Sequence, residues 1–459
     1  MTTHYDAIII GAGQAGPSLA QRLTAAGLST ALIEREHLGG VCVNVGCTPT
    51  KTLVASARAA YVARRAPEFG VMINGEVHVD MARVKARKDA VVKASKDGVT
   101  GWLKTMPNLR TYDGHGRFDG PNRVRVNGEV LHAERIFINT GARPSVPDLP
   151  GLDQVEYLTS TSLLDLDVLP EHLVIVGGSY VGLEFVQMYR RFGSRVTVIE
   201  QGERLIRHED ADVSRTVQEI LETEGVAVRL NAACLSVRAQ DAGVAVHLDC
   251  QEGPAEVQGS HLLLAVGRQP NTDDLGLSSA GIETDGRGFI LVDEQLRTTA
   301  PGVWALGDVN GRGAFTHTAY NDHEILVANL LDDAPRRVSD RIPAYALYID
   351  PPLGRAGLSE QQARDTGRRV LMGKLMMTRV GRARERGETQ GFMKVLIDAE
   401  TQRMLGAAII GLGGDEVIHT LLDAMVAGTP YTVIQRAVHI HPTVSELIPT
   451  LLGNLGALE

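Results

Sequence analysis

The pattern of apolar and polar positions opens on a short, wholly apolar run, Ala7 to Ile10 in YDAIIIGAGQAG. It breaks at Gly11, Gly13 and Gly16 and passes into a helical stretch. A second apolar run, TALIE, follows and ends on an acid, Glu34. Short apolar runs bounded by glycine turns predict buried strands, and strand, turn, helix, strand in succession predicts a βαβ unit. The pattern then returns. LVIVGGSYVG carries Gly177, Gly178 and Gly182, a helix follows, and RVTVIE closes on Glu200. Gly16 to Glu34 and Gly182 to Glu200 span the same interval, so a single offset superposes the two copies.

The residues of this unit suit a dinucleotide. A pyrophosphate needs close backbone approach and free N–H groups at a helix N-terminus, which glycine permits, and an acid closing the second strand can accept ribose hydroxyls. Ser179 departs from the pattern, standing where the first copy has Gly13. Two dinucleotide units in one chain suggest electron transfer between two bound cofactors.

Between the units lies GGVCVNVGCTPTK, with Cys42 and Cys47 in a chain of only four cysteines. The stretch TPTKTLVASARAAYVARRA reads as a helix starting near Pro49, with Cys42 in the loop before it and Cys47 near the helix N-terminus, where the dipole favours a thiolate. The pair can be a redox couple, a metal site or inert thiols. Zinc requires further ligands at characteristic spacing, and none is adjacent. Cys234 and Cys250 read as incidental thiols.

The chain length is that of about three domains. Its formal charge of −9 argues against a nucleic-acid surface. The N-terminus offers neither a signal peptide nor a membrane span, so the expected location is cytoplasmic, where a close cysteine pair reads as catalytic or metal-binding.

GGVCVNVGCTPTK resembles the active-site signature of the pyridine nucleotide-disulfide oxidoreductases, the flavoprotein family of glutathione reductase, lipoamide dehydrogenase and mercuric reductase. INTGARP (138–144), AVGRQPNT (265–272), TTAPGVWALGDV (298–309) and HPTVSE (441–446) extend the resemblance over essentially the whole chain.

The resemblance implies an α/β fold of two Rossmann-like dinucleotide-binding domains, for FAD and NAD(P), and a C-terminal α+β dimerisation domain. Residues 1–145 and 267–340 would form the FAD domain, 146–266 the NAD(P) domain and 341–459 the dimerisation domain. FAD would lie on Gly11, Gly13, Gly16 and Glu34, with Asp308 at its ribityl and pyrophosphate part. Gly141 and Gly267 belong to the cofactor-binding motifs. NADH or NADPH would lie on Gly177, Gly182 and Glu200. Lys51 and Glu184 would pair beside the flavin. Cys47 would be the thiolate facing the flavin and Cys42 the thiol that attacks the substrate. His441, held by Glu446, would be the base, supplied by the other subunit of a homodimer.

The acid at Glu200 favours NADH over NADPH, since it repels a 2′-phosphate, although Arg204 and Arg207 follow closely. For the oxidant, the nearest pattern is that of mercuric reductases and of relatives described as copper reductases or hypochlorite-responsive flavoproteins. The expected acceptor is therefore a thiophilic metal ion or related small-molecule oxidant, with no metal bound as cofactor. Mercuric reductases end with a vicinal cysteine pair, whereas this chain ends LLGNLGALE and begins almost at its first dinucleotide unit, which counts against efficient mercury detoxification. A lipoamide dehydrogenase and a flavin-bound redox sensor or metal-binding protein are the alternatives.

Overall fold

The computed structural model describes residues 2–241, 243–249 and 255–458. Cys250 lies outside these residues, as does the side chain of Cys234. Both apolar runs flanking the first glycine turn are strands, Ala7–Ile10 and Thr30–Glu34, joined by helix α1, Ala15–Ala25. They sit in a five-stranded parallel sheet with Leu109–Asp113 on one side and Arg135–Ile138 on the other. The strand Val303–Ala305 completes that sheet from far along the chain. Every residue of Ala7–Ile10 is buried, as expected of a parallel strand covered on both faces.

The second copy builds a second five-stranded parallel sheet with the same arrangement around its central strand, His172–Val176. Arg195–Ile199 and Ala227–Arg229 lie on one side, and His261–Leu264 and Leu158–Thr159 on the other. Here the outermost strand comes from upstream rather than downstream. The sequence echo is therefore an echo of topology.

The cysteine segment departs from its expected local structure. Cys42 lies in a short helix, α2 (Gly40–Asn44), rather than in a loop, and Cys47 is the first residue of α3, Cys47–Arg65, which starts two residues earlier than Pro49 suggests. Gly39, at φ 91°, takes the left-handed turn that permits α2. A long helix, α4 (Met81–Lys104), packs on α3. The second unit contributes α5, Tyr180–Phe192, and α6, Ala211–Thr223, and α7, Thr316–Leu330, follows the last strand of the first sheet. The C-terminal segment forms a six-stranded antiparallel sheet between residues 344 and 457, with helix Gly414–Val426 packed on it. Among the described residues no helix is long and apolar enough to cross a membrane.

Glycine is demanded where backbone meets backbone. A Cβ on Gly16 would lie 2.5 Å from the carbonyl oxygen of Gly11, and one on Gly182 would lie 2.2 Å from that of Gly177. Ser179, by contrast, has φ −110°, an ordinary value for any residue, which explains why the second copy tolerates serine there. Gly182→Ala is accordingly expected to destabilise the protein by about 1–3 kcal/mol. Gly101→Ala in α4, where a Cβ meets nothing within 4 Å, is expected to gain about 0.5–1 kcal/mol. Thermal melting of the two variants checks this, and equal transitions would refute the packing argument.

Candidate active site

A cavity of about 540 Å³ opens where the two units and the C-terminal sheet meet. Gly11, Gly13 and Glu34 line it from the first unit, Cys42, Cys47 and Lys51 from α2 and α3, and Tyr180, Val181 and Glu184 from α5. Gly141, Asp308, Thr316 and Tyr348 complete the wall. Gly16, Gly177, Gly182, Glu200 and Gly267 lie outside it, as do His441 and Glu446. Gly267 precedes the strand Arg268–Pro270, which pairs antiparallel with Ala142–Pro144 just after Gly141. The two glycine motifs thus form one connection between the units.

Each terminal glutamate braces its own glycine loop. Glu34 accepts the N–H of Ala12 at 2.7 Å and that of Glu36 at 2.8 Å, and Glu200 accepts those of Gly178 and Gly202, both at 2.7 Å. A carboxylate oxygen has two lone pairs, so a ribose hydroxyl can still be received.

The thiols are held unequally. Cys47 at the start of α3 contacts the Thr316 hydroxyl at 3.4 Å, and Cys42 and Cys47 interact with each other. Interaction with the Cys42 thiol lowers the Cys47 thiol to about 6, with help from Thr316 and Lys51 against the cost of desolvation. The same interaction, with burial, pushes the Cys42 thiol far above its ordinary value. One thiolate and one thiol is the stable state of the reduced pair near neutral pH.

Lys51 and Glu184 form a bidentate ion pair, Nζ to Oε1 2.9 Å and to Oε2 2.7 Å. Glu184 is buried and also accepts the backbone N–H of Tyr348, whose ring lies under the ammonium at 4.7 Å. Asp308 lies 3.7 Å from Arg268, and burial raises its carboxyl above the usual range. Away from the cavity, His441 Nδ1 donates to Glu446 Oε2 at 2.8 Å.

A dinucleotide cofactor fits this donor set. The glycine loop offers backbone N–H groups, Asp308 offers an acceptor for hydroxyls, and the volume lies in the range of roughly 300–1,000 Å³ usual for ligand sites. The aromatic rings of Tyr180, Phe315 and Tyr348 in the wall and the hydroxyl of Thr316 were not evident in the sequence. They come from three separate segments, and no spacing connects them. Among the described residues, the one cluster of acids close enough for a metal, Asp210, Asp212 and Glu360, surrounds the Lys394 ammonium, which is 2.8, 2.7 and 2.5 Å from them.

Residues 5–322 match the family described as pyridine nucleotide-disulphide oxidoreductase, and residues 343–452 match its dimerisation domain. The chain belongs to this family of FAD-dependent, NAD(P)H-using flavoprotein oxidoreductases. It is 38% identical to the probable pyridine nucleotide-disulfide oxidoreductase RclA of Escherichia coli K12, over 98% of this chain and 99% of that protein. It is 32% identical to a mercuric reductase of Bacillus cereus (96% and 70%) and 35% to a dihydrolipoyl dehydrogenase of Thermus scotoductus (96% and 95%). The solved structure of HOCl-induced flavoprotein disulfide reductase RclA from E. coli superposes with a TM-score of 0.89 at 37% identity, covering 98% of this chain and 99% of that one. A Cu(II) complex of RclA matches equally well, with a TM-score of 0.89 at 37% identity over 97% and 99%.

Thiolate absorbance at 240 nm in the reduced protein is expected to rise as the pH passes about 6, since the depressed thiol is protonated below that value and ionised above it. Cys42→Ala removes the strongest support and should move the midpoint up towards the ordinary thiol value of about 8.5. An unmoved midpoint would contradict the assignment.

Proposed function

We propose that this protein uses NADH to reduce a Cys42–Cys47 disulfide through FAD, and that the resulting dithiol reduces a thiophilic metal ion such as Hg(II) or Cu(II), or a related oxidant. The observation that carries the reading is the unequal thiol pair, which shares one cavity with the Lys51–Glu184 ion pair. In this reading residues 1–145 and 267–340 hold FAD, 146–266 hold the nicotinamide coenzyme, and 341–459 form the subunit contact.

FAD, when bound, supplies hydride acceptance and two-electron transfer to a disulfide. Gly11 and Gly13 would receive its pyrophosphate, Glu34 its adenosine ribose and Asp308 its ribityl hydroxyls. Lys51, oriented by Glu184, places a positive charge beside the thiols and offsets negative charge that develops there. Cys47 remains a thiolate, steadied by Thr316 and the start of α3.

Cys42 is the thiol that must attack, and it is the protonated member, so it needs a base. His441 has the form of one: its Nδ1–H donates to Glu446 and leaves Nε2 to act as the base, on a side chain that is 79% exposed. It does not line the cavity of its own chain, which supports a site completed by a second copy. Val438 and Ile440 beside it are almost wholly exposed, a surface that association would cover.

Glu200 supports NADH as the coenzyme. Its carboxylate stands at the strand end, while Arg204 turns a guanidinium nitrogen to the carbonyl of Arg207 at 3.2 Å. The likeness to RclA, described as HOCl-induced and solved with Cu(II), supports a soft metal or an oxidant as acceptor. A reducible thiol pair suits a cytoplasmic location.

Anaerobic NADH oxidation tests this, with Hg(II), Cu(II), oxidised glutathione and lipoamide each offered to wild type and Cys42→Ser. Turnover with a metal ion that is lost in Cys42→Ser is expected, and preference for lipoamide would overturn the assignment in favour of a dihydrolipoyl dehydrogenase. His441→Ala is expected to slow reoxidation of the dithiol by about 10²- to 10⁴-fold, the usual contribution of a general base, while leaving flavin reduction by NADH within about twofold. Stopped-flow measurement of the two half-reactions checks this, and equal losses in both would contradict the role of His441.

A further inference from the structure

Tyr180 follows the second glycine loop directly, begins α5 and lines the cavity four residues before Glu184. Its ring stands edge-on to Phe315 and to Tyr345, with centroids 6.3 and 5.4 Å away, and Phe315 lies flat on Tyr345 at 5.4 Å. One ring thus comes from the second unit, one from the segment preceding α7 and one from the C-terminal sheet.

Both phenols end on the same atom. Tyr180 donates to Oε1 of Glu209 at 3.1 Å, and Tyr345 donates to it at 2.7 Å. Glu209 is 2% exposed, and its other oxygen is taken by Arg355, through Nε at 3.0 Å and through Nη2. Arg355 also holds Asp210 at 2.9 Å, and Asp210 is shared with Lys394 of the C-terminal sheet. A buried carboxylate that loses its charge partners is costly, so Glu209 cannot move without dismantling this cluster. One oxygen therefore anchors the second unit to the C-terminal sheet, and the other is left for the two hydroxyls.

We propose that Glu209 is a positioning residue which, from outside the cavity, pins Tyr180 and Tyr345 and so presets the cavity wall beside Glu184 for the nicotinamide coenzyme. The inference rests on the reading that NADH binds the second unit. A pinned ring need not be ordered when the coenzyme arrives, and releasing it makes binding bear that ordering cost. Burial and the neighbouring Glu209 charge both push the Tyr180 phenol up, so its hydroxyl remains a donor throughout the working pH range.

Calorimetric titration of the anaerobic, dithionite-reduced holoenzyme with NADH, which then finds no electron acceptor and only binds, tests the proposal, with kcat and KM measured alongside. Tyr180→Phe is expected to weaken NADH binding about two- to tenfold, the cost of ordering one side chain, and to raise KM while kcat holds. Glu209→Gln should weaken binding in the wild-type background and weaken it less in the Tyr180→Phe background, where only the Tyr345 contact is left to release. Wild-type affinity in Tyr180→Phe, or an equal loss from Glu209→Gln in both backgrounds, would overturn it. If Glu209→Gln does not fold, Tyr180→Phe and Tyr345→Phe decide: both leave the charge cluster intact, weaker NADH binding in each supports the proposal, and wild-type affinity in either overturns it. Failure of the underlying reading is distinguishable, because wild type itself would then bind no NADH.

Discussion

The ion pair between Lys51 and Glu184 is the contact on which the site depends. Lys51 stands on the helix that Cys47 begins, Glu184 on the helix that leaves the second glycine loop, and the Tyr348 N–H that completes the carboxylate belongs to the C-terminal segment. A carboxylate buried at this depth needs both partners. The three segments are therefore obliged to meet beside the thiols, and the cavity forms at their meeting point. The charge cluster of Glu209, Asp210, Arg355 and Lys394 repeats this logic further from the thiols, again joining the second unit to the C-terminal sheet by buried, paired charges.

What could be read in the sequence was what local spacing determines. The paired glycine units were legible because the crossing of Gly16 over Gly11 and of Gly182 over Gly177 admits no Cβ, so the residue type records the geometry. The His441–Glu446 contact was legible through the resemblance carried by HPTVSE. The difference between Cys42 and Cys47 followed partly from the helix start. Its size depends on the thiols' mutual hydrogen bond and on Thr316, more than two hundred and sixty residues away. The bond from Tyr345 to Glu209 and the stacking of Phe315 on Tyr345 are long-range contacts without periodicity, and they were invisible. The C-terminal domain was legible only through resemblance, since its apolar strands announce a sheet but not what the sheet is for.

The two terminal glutamates have a structural task that the sequence did not reveal. Each was read as a ribose acceptor, and each also bonds the backbone of its own glycine loop. Such an acid fixes the loop proposed to receive the pyrophosphate while keeping lone pairs free for a hydroxyl. The thiols divide their work in a similar way. Because one hydrogen bond lowers Cys47 and raises Cys42, the site keeps a stored negative charge on one sulfur and a proton on the other. In the proposed reading that division calls for an external base, the role given to the exposed His441 beside its apolar surface.

In the proposed reading Cys42 and Cys47 are a second redox centre in series with the flavin. Anaerobic titration of the oxidised holoenzyme with NADH tests it most directly, because each centre takes two electrons. Wild type should consume about two equivalents of NADH per subunit before excess NADH accumulates, and Cys42→Ser about one. Equal consumption by the two proteins would show that the cysteines carry no electrons and would contradict the account.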